Sequence, residues 1–246
     1  MENASPKISV IIPTLNEEKL LERTLAQFTD EIKNKFHLEI IVSDGGSTDE
    51  TISIAKKYSS VVVLKENSLK ENIAIGRNRG GKSANGKILV FLNADTLLKN
   101  VETFFQNIIF AIEQEDVVGV TCAVYVWPEE ELFGDRLIHW CINNWFWFLN
   151  VIGIGMGRGE CHIVKKEMFE QTNGYDETMP AGEDFDFFSR LRKKGVIAFL
   201  KKNVVYESPR RYRTSGYIRI LSQWFLNAMW VFFLKKSYSR RWSPIR

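Results

Sequence analysis

Lys87-Ile88-Leu89-Val90-Phe91-Leu92-Asn93-Ala94-Asp95-Thr96 is the stretch on which the fold turns. Five consecutive apolar residues, Ile88–Leu92, follow the turn-forming pair Asn85-Gly86. A run this apolar predicts a strand buried on both faces, as in a parallel sheet covered by helices. It stops on Asn93-Ala94-Asp95, so two oxygen-bearing side chains stand at the carboxyl end of a central strand, where open α/β sheets bind ligands and a divalent cation can be held. Asn and Asp also favour turns for local reasons, so this stretch alone predicts only a strand and a polar turn.

Working outward, Ile8–Pro13 reads as a first buried strand, and Asn16, Glu17 and Glu18 as the start of a helix from about 18 to 28. Ile40–Asp44 is a second strand that also ends on an aspartate; Gly45-Gly46 then supplies a tight turn, and Asp49 opens a helix over 50–58. Val61–Leu64 is a third strand. Residues 71–84 start with helical spacing but hold Gly76-Arg77-Asn78-Arg79-Gly80-Gly81-Lys82, more glycine and cation than a connector needs. Strand and helix alternating in short units predict a parallel sheet, which delivers Thr14–Glu17, Asp44 and Asn93–Asp95 to one edge.

The second half is less regular. A helix over 101–113, a weakly alternating strand over 117–126 and an aromatic helix over 133–151 follow, the last expected to cover the sheet or face an acceptor pocket. Glycines 153, 155, 157 and 159 suggest a flexible connection or a close backbone approach. Cys161–Val164 returns as a strand, and 166–171 as a short helix closed by Asn173-Gly174. In Gly182-Glu183-Asp184-Phe185-Asp186, three acids suit a helix start, yet acids among large apolar residues also gain the raised pKa of a base.

With 246 residues, 45% hydrophobic and 26% charged, the chain is globular and large enough for one sizeable α/β domain. Three cysteines, 122, 141 and 161, lack metal-type spacing and read as reduced, mostly buried thiols of a cytoplasmic protein. The polar start, Met1–Lys7, is expected not to be a signal peptide, and no apolar run reaches the ~20 residues of a spanning helix. Net charge is +3, but residues 208–246 hold nine Lys or Arg and no acid, so they sit on a body of charge −6. Such a tail calls for an anionic partner.

Taken in order, residues 11–18 (IIPTLNEE), 42–49 (VSDGGSTD), 91–96 (FLNADT) and 182–186 (GEDFD) resemble the motif set of family 2 glycosyltransferases, with the match covering roughly 8–207. That resemblance implies a GT-A (Rossmann-like) fold, a mostly parallel sheet flanked by helices. The catalytic domain would span 1–207, its nucleotide-binding half about 1–96 and its acceptor half about 97–207, with 208–246 as a helical extension. It implies a nucleotide-sugar donor, UDP favoured over GDP, a divalent metal (Mn2+ or Mg2+), and inversion at the anomeric carbon. Pro13, Thr14, Asn16, Glu17 and Asp44 would hold base and ribose; Arg77 and Asn78 would lie near the diphosphate. The family's Asp-x-Asp falls on Asn93-Ala94-Asp95, a departure at its first position, which leaves Asp95 as the metal-binding acid. Asp184 matches the catalytic base, with Glu183 orienting the acceptor. His162 is either a further metal or acceptor ligand or a structural hydrogen-bonder.

In the tail, Arg210-Arg211-Tyr212-Arg213 precedes a helix over 217–234 dense in aromatics. Two readings stay open. The helix lies in a membrane interface, at the inner membrane face beside a lipid-linked acceptor. Alternatively it packs on the domain or on a twin subunit, with Arg211 and Arg213 among the arginines closing over the diphosphate. Against the main reading stand a nucleotidyltransferase, for which Pro13–Glu18 lacks a glycine-rich loop, and a non-catalytic binder of sugar nucleotides. Nucleic-acid binding lacks a motif.

Overall fold

The computed structural model describes residues 7–66 and 71–239. Residues 1–6 and Arg240, Arg241 and Arg246 of the basic tail lie outside them. One eight-stranded sheet forms the centre: β1 (Ile8–Thr14), β2 (Leu38–Asp44), β3 (Val61–Leu64), β4 (Ile88–Leu92), β5 (Leu97–Leu98), β6 (Val117–Val126), β7 (Cys161–Lys165) and β8 (Val196–Glu207). Their spatial order is β3-β2-β1-β4-β7-β6-β8-β5.

The strands β3, β2, β1 and β4 run parallel, as the apolar runs predict. The sheet is mixed beyond them: β7 is antiparallel to both β4 and β6, β8 is parallel to β6, and β5 is antiparallel to β8. Alternation sorts the strand residues into two layers. Ile8, Val10 and Ile12 join α1 (Leu21–Ala26), α2 (Asp30–Phe36) and α5 (Val101–Ile112) through Leu25, Phe36 and Phe105. On the opposite face Ile11, Leu89 and Phe91 meet α7 (Lys166–Gln171) and α8 (Glu183–Arg192) through Phe169, Phe187 and Phe188. That second layer also holds α4 (Ile73–Ser83), whose glycines lie close to the sheet: a Cβ at Gly80 would stand 2.4 Å from Ile11 Cγ2.

Several elements depart from the expectation. The first helix begins at Leu21, not 18, because Asn16 takes a left-handed φ of 52° and its side chain accepts from Thr48 N instead of capping. Helix α2 and strand β8 have no counterpart in the sequence reading; Thr29 caps α2 by accepting from Ile32 N. Helix α3 (Thr51–Tyr58) and α6 (Phe133–Val151) fall where expected. Helix α6, however, buries only one side, with Phe146 and Leu149 inward and Trp140, Trp145 and Phe148 exposed. After β8 come α9 (Arg210–Ser215) and α10 (Tyr217–Leu234). Cys122 and Cys161 are buried free thiols, whereas Cys141 is exposed.

Glu39 fixes the register at the foot of the central strands. Its buried carboxylate accepts from Ser9 Oγ on β1 and from the backbone N–H groups of Asn85 and Gly86, just before β4. Removing it strands those donors inside the protein. Glu39→Ala is expected to lower the unfolding free energy by about 3 kcal/mol, read by urea denaturation; a change below about 1 kcal/mol would remove Glu39 from this role.

Candidate active site

Because β2, β1 and β4 are parallel neighbours, their carboxyl ends open on one side. Thr14 and Asp44 are paired in register, and Thr14 Oγ1 donates to Asp44 at 3.1 Å. Asp44 also accepts from Gly46 N, Ser47 N and Ser47 Oγ. An ionised carboxylate offers about four acceptor positions, so Asp44 spends its capacity on its own loop, and it is buried. Asn16 N donates to Ser47 Oγ and Glu17 N to Thr51 Oγ1, which stitches the loops after β1 and β2 together.

Beside these loops lies a cleft of about 440 Å³, lined by Pro13, Glu17, Arg77, Asn93, Ala94, Asp95, Glu183, Asp184 and Arg211, among others. Asp95, from the end of β4, and Asp184, from the first turn of α8, therefore share one cavity. A smaller recess of about 160 Å³ adjoins it through Glu17 and Arg210 and is lined also by Asn16.

Arg77 on α4 holds three walls of the cleft together. Its guanidinium donates to Glu183 at 2.7 Å, to the carbonyl of Gly159 at 2.6 Å and to Asn93 Oδ1 at 3.3 Å, and only 1% of the residue is exposed. The oxygen of Asn93, where the family pattern has an acid, is thus turned toward a fixed cation. Asp184 follows Glu183 and keeps contact with the cavity. Its carboxyl is pushed up to about 8, first by burial and then by the negative charge of Glu183, against the pull of Arg77. Gly159 gives it room, since a Cβ there would lie 3.2 Å from Asp184 Oδ2.

The opposite wall carries a second ion cluster. Arg210, at the start of α9, makes a bidentate pair with Glu17 at 2.8 and 2.9 Å and reaches Asp95 at 3.3 Å. Burial pushes the Asp95 carboxyl up to about 6; Arg210 opposes the shift, and Glu17 and Glu160 add to it. Behind them, fully buried Arg158 pairs with Glu160 and Glu207 at 3.2 Å each, and Tyr212 Oη donates to Glu207 at 2.7 Å. The sequence reading names Arg210 only as part of the basic tail and misses Arg158, Glu160 and Glu207. Arg158 and Glu160 flank Gly159 in the glycine run, and their opposite charges two residues apart were the available signal.

A guanidinium already sits against Glu17 and Asp95, so this corner is built for positive charge. Among the described residues no group of three or more His, Cys, Asp or Glu gathers into a closed metal site. A cation held between a diphosphate and one or two carboxylates does not require one, so Asp95 fits that use.

Thr14 and Asp44 line neither the cleft nor the recess, and three further expected site residues stand elsewhere. Asn78 donates to Tyr175 O and Glu177 Oε1 and accepts from Tyr175 N, so it pins the turn after α7. His162 corrects the metal expectation: on β7 opposite Phe91, it is fully buried against Phe188, its Nδ1 is 2.8 Å from Tyr175 Oη, and it does not reach the cleft. Burial and Arg77 hold its ring neutral. Arg213 does not line the cleft; it pairs with Asp135 at the start of α6.

The Arg77 arrangement is testable. Arg77→Met is expected to cost about 3–5 kcal/mol, since it leaves Glu183 buried and unpaired. It should also move the Asp184 carboxyl above about 8, because the cation that opposes its shift is gone. Thermal unfolding and carboxyl NMR titration read the two effects; an unmoved Asp184 would deny Arg77 its electrostatic share.

Known proteins agree with this architecture. The sequence pattern of the family described as "Glycosyl transferase family 2" matches residues 9–172. A Methanococcus voltae dolichyl N-acetyl-alpha-D-glucosaminyl phosphate 3-beta-D-2,3-diacetamido-2,3-dideoxy-beta-D-glucuronosyltransferase is 25% identical over 260 residues, covering 92% of this chain and 77% of that protein. A Mycobacterium tuberculosis PGL/p-HBAD biosynthesis glycosyltransferase is 26% identical, covering 83% and 77%. Among solved structures, the Pyrobaculum calidifontis mannosyltransferase PcManGT, with GDP-Man and Mn2+, superposes with a TM-score of 0.62 at 21% identity, over 89% of this chain and 64% of that one. S. aureus TarS with UDP-GlcNAc gives 0.62 at 18% identity, over 92% and 73%. The chain spans less than two thirds of the PcManGT chain's length, and these structural likenesses speak to the fold. The match over 9–172 shows that this protein belongs to glycosyl transferase family 2.

Proposed function

We propose that the protein transfers a sugar, with inversion, from a nucleoside diphosphate sugar to a hydroxyl of a sugar or lipid-linked acceptor. The observation that carries this reading is that Asp95 and Asp184 line one cleft, reached from different elements of the fold. The donor would lie along the loops after β1 and β4, with its diphosphate toward Asp95 and Arg211. UDP is favoured over GDP; the neighbours PcManGT and TarS, solved with GDP-Man and UDP-GlcNAc, represent both choices. A divalent cation carried by Asp95 would offset the charge of the departing nucleotide.

Asp184 is the proposed base. Its carboxylate takes the proton of the acceptor hydroxyl as that oxygen attacks the anomeric carbon, while the bond to the diphosphate breaks and the nucleoside diphosphate leaves. Glu183, held by Arg77, fixes the first turn of α8 that presents Asp184 and lends the charge that raises its affinity for the proton. The acceptor enters from the side of α10, where Arg219 and Gln223 reach the cleft. The M. voltae relative is named for a dolichyl-linked acceptor, which supports the lipid-linked option.

Three measurements test the reading. Nucleotide sugars with Mn2+ should raise the melting temperature, and Asp95→Asn should abolish the metal-dependent part of that rise; a full rise in the variant would exclude Asp95 as the carrier. Asp184→Asn should keep donor binding while turnover falls about a hundredfold to ten-thousandfold. Unchanged turnover would remove Asp184 from the role of base. Because its carboxyl in the folded state sits at about 8, above its ordinary range, Asp184 favours folding below that ordinary range and this contribution is lost as pH rises through about 8. Asp184→Asn should therefore gain stability relative to the parent chain above that pH, read by denaturant unfolding; parallel pH profiles would contradict the shift.

A further inference from the structure

Helix α10 is attached by a narrow stripe. Of its 18 residues only Ile220, Asn227 and Val231 are buried. Phe225, Phe232 and Phe233 point outward at 65%, 55% and 67% exposure. Helix α6 does the same with Phe133 at 86% and Trp145 at 56%. Both helices border one small hydrophobic cluster, in which Phe146 and Leu149 of α6 meet Val231 of α10. Burying rings is worth far more than leaving them in water, so two such faces in one part of the molecule mark a contact surface.

The charge pattern says what covers it. The 19 residues of α6 contain one carboxylate, Asp135, which is buried and paired with Arg213; the 18 of α10 contain none. Neither helix therefore presents an exposed acid. Cations stand beside the rings instead: Lys201 Nζ lies 3.5 Å over the Trp147 ring, Lys235 and Lys236 end α10, and Arg136 on α6 is exposed but paired with Glu131 just before that helix. Aromatic rings on two helices that expose no carboxylate of their own, with cations beside them, suit the headgroup layer of an anionic bilayer. No helix among the described residues is long and apolar enough to cross a membrane, so the contact is one of lying on the surface.

We propose that the outward faces of α6 and α10 form a docking surface for a phospholipid bilayer with anionic headgroups. Helix α10 turns Arg219, Gln223 and Trp224 to the cleft on its other side, and Phe146 of α6 lines it too, so the docked bilayer lies beside the acceptor entrance. On the transferase reading, on which this clause rests, the acceptor is then lipid-linked, and its reactive end enters the cleft while its chains stay in the bilayer.

The test is co-sedimentation of the full chain with vesicles of phosphatidylcholine, or of phosphatidylcholine partly replaced by phosphatidylglycerol. The parent chain should pellet with the anionic vesicles and less with the neutral ones. The combined variant Trp145→Ser, Phe225→Ser, Phe233→Ser should bind them at least about tenfold more weakly, and Lys235→Glu with Lys236→Glu should erase the preference for anionic lipid. Failure of the parent chain to pellet, equal pelleting of the aromatic variant, or a concentration-dependent dimer that the aromatic variant dissolves without any vesicle binding would overturn the proposal. Melting-temperature shifts with nucleotide sugar and Mn2+ keep the two readings apart. Shifts retained without vesicle binding sink the docking surface alone, and vesicle binding without shifts sinks the donor site alone.

Discussion

The buried pair of Arg77 and Glu183 is the constraint on which the site depends. Both charges are buried at the wall of the cleft, and the cost of taking them out of solvent is offset in part because the guanidinium also donates to Gly159 O and Asn93 Oδ1. One side chain thereby fixes the distance between α4, the end of β4, the glycine run and the start of α8. Asp184 inherits its position from this junction, since it is the next residue on α8. Its proton affinity comes from the same source: Glu183 raises it and Arg77 restrains it.

The cleft concentrates charge of both signs, and its charges are paired within the chain. Arg210 neutralises Glu17 and part of Asp95, while burial favours the protonated form of Asp184. Arg77 partners Glu183 on one wall, and Arg210 partners Glu17 and Asp95 on the other. This explains how so many carboxylates coexist in one cavity without unfolding the loops that bear them.

Parts of this were legible in the sequence for definite reasons. The strands β1, β2 and β4 are buried on nearly all their residues, so they read as mostly apolar runs, and the Thr14–Glu17 loop, Asp44 and Asn93-Ala94-Asp95 that end them could be placed at one sheet edge. Strand β8 was not legible: Lys201, Lys202 and Asn203 interrupt it, and it pairs with β6, which lies far from it in the chain. Glu39 sat unnoticed inside a strand because its partners, Ser9 and the 85–86 turn, come together only in the fold. Among the tail arginines, sequence favoured Arg211 and Arg213 equally, whereas the fold brings Asp135 of α6 to Arg213 and the acids of the cleft to Arg210, partners far away in the chain. For His162 the sequence left a ligand and a structural hydrogen-bonder open, because only the pleat of the folded strand turns the ring inward to Tyr175 and Phe188.

The anchoring of α9 bears on how the site changes when it fills. Tyr212 is buried and bonded to Glu207, which is itself paired with Arg158, and Arg213 is tied to α6, so this helix is riveted on two sides. The Arg210 side chain is held by both oxygens of Glu17 and by Asp95, so uncovering Asp95 means breaking a bidentate, charge-assisted pair presented from a helix already anchored on two sides.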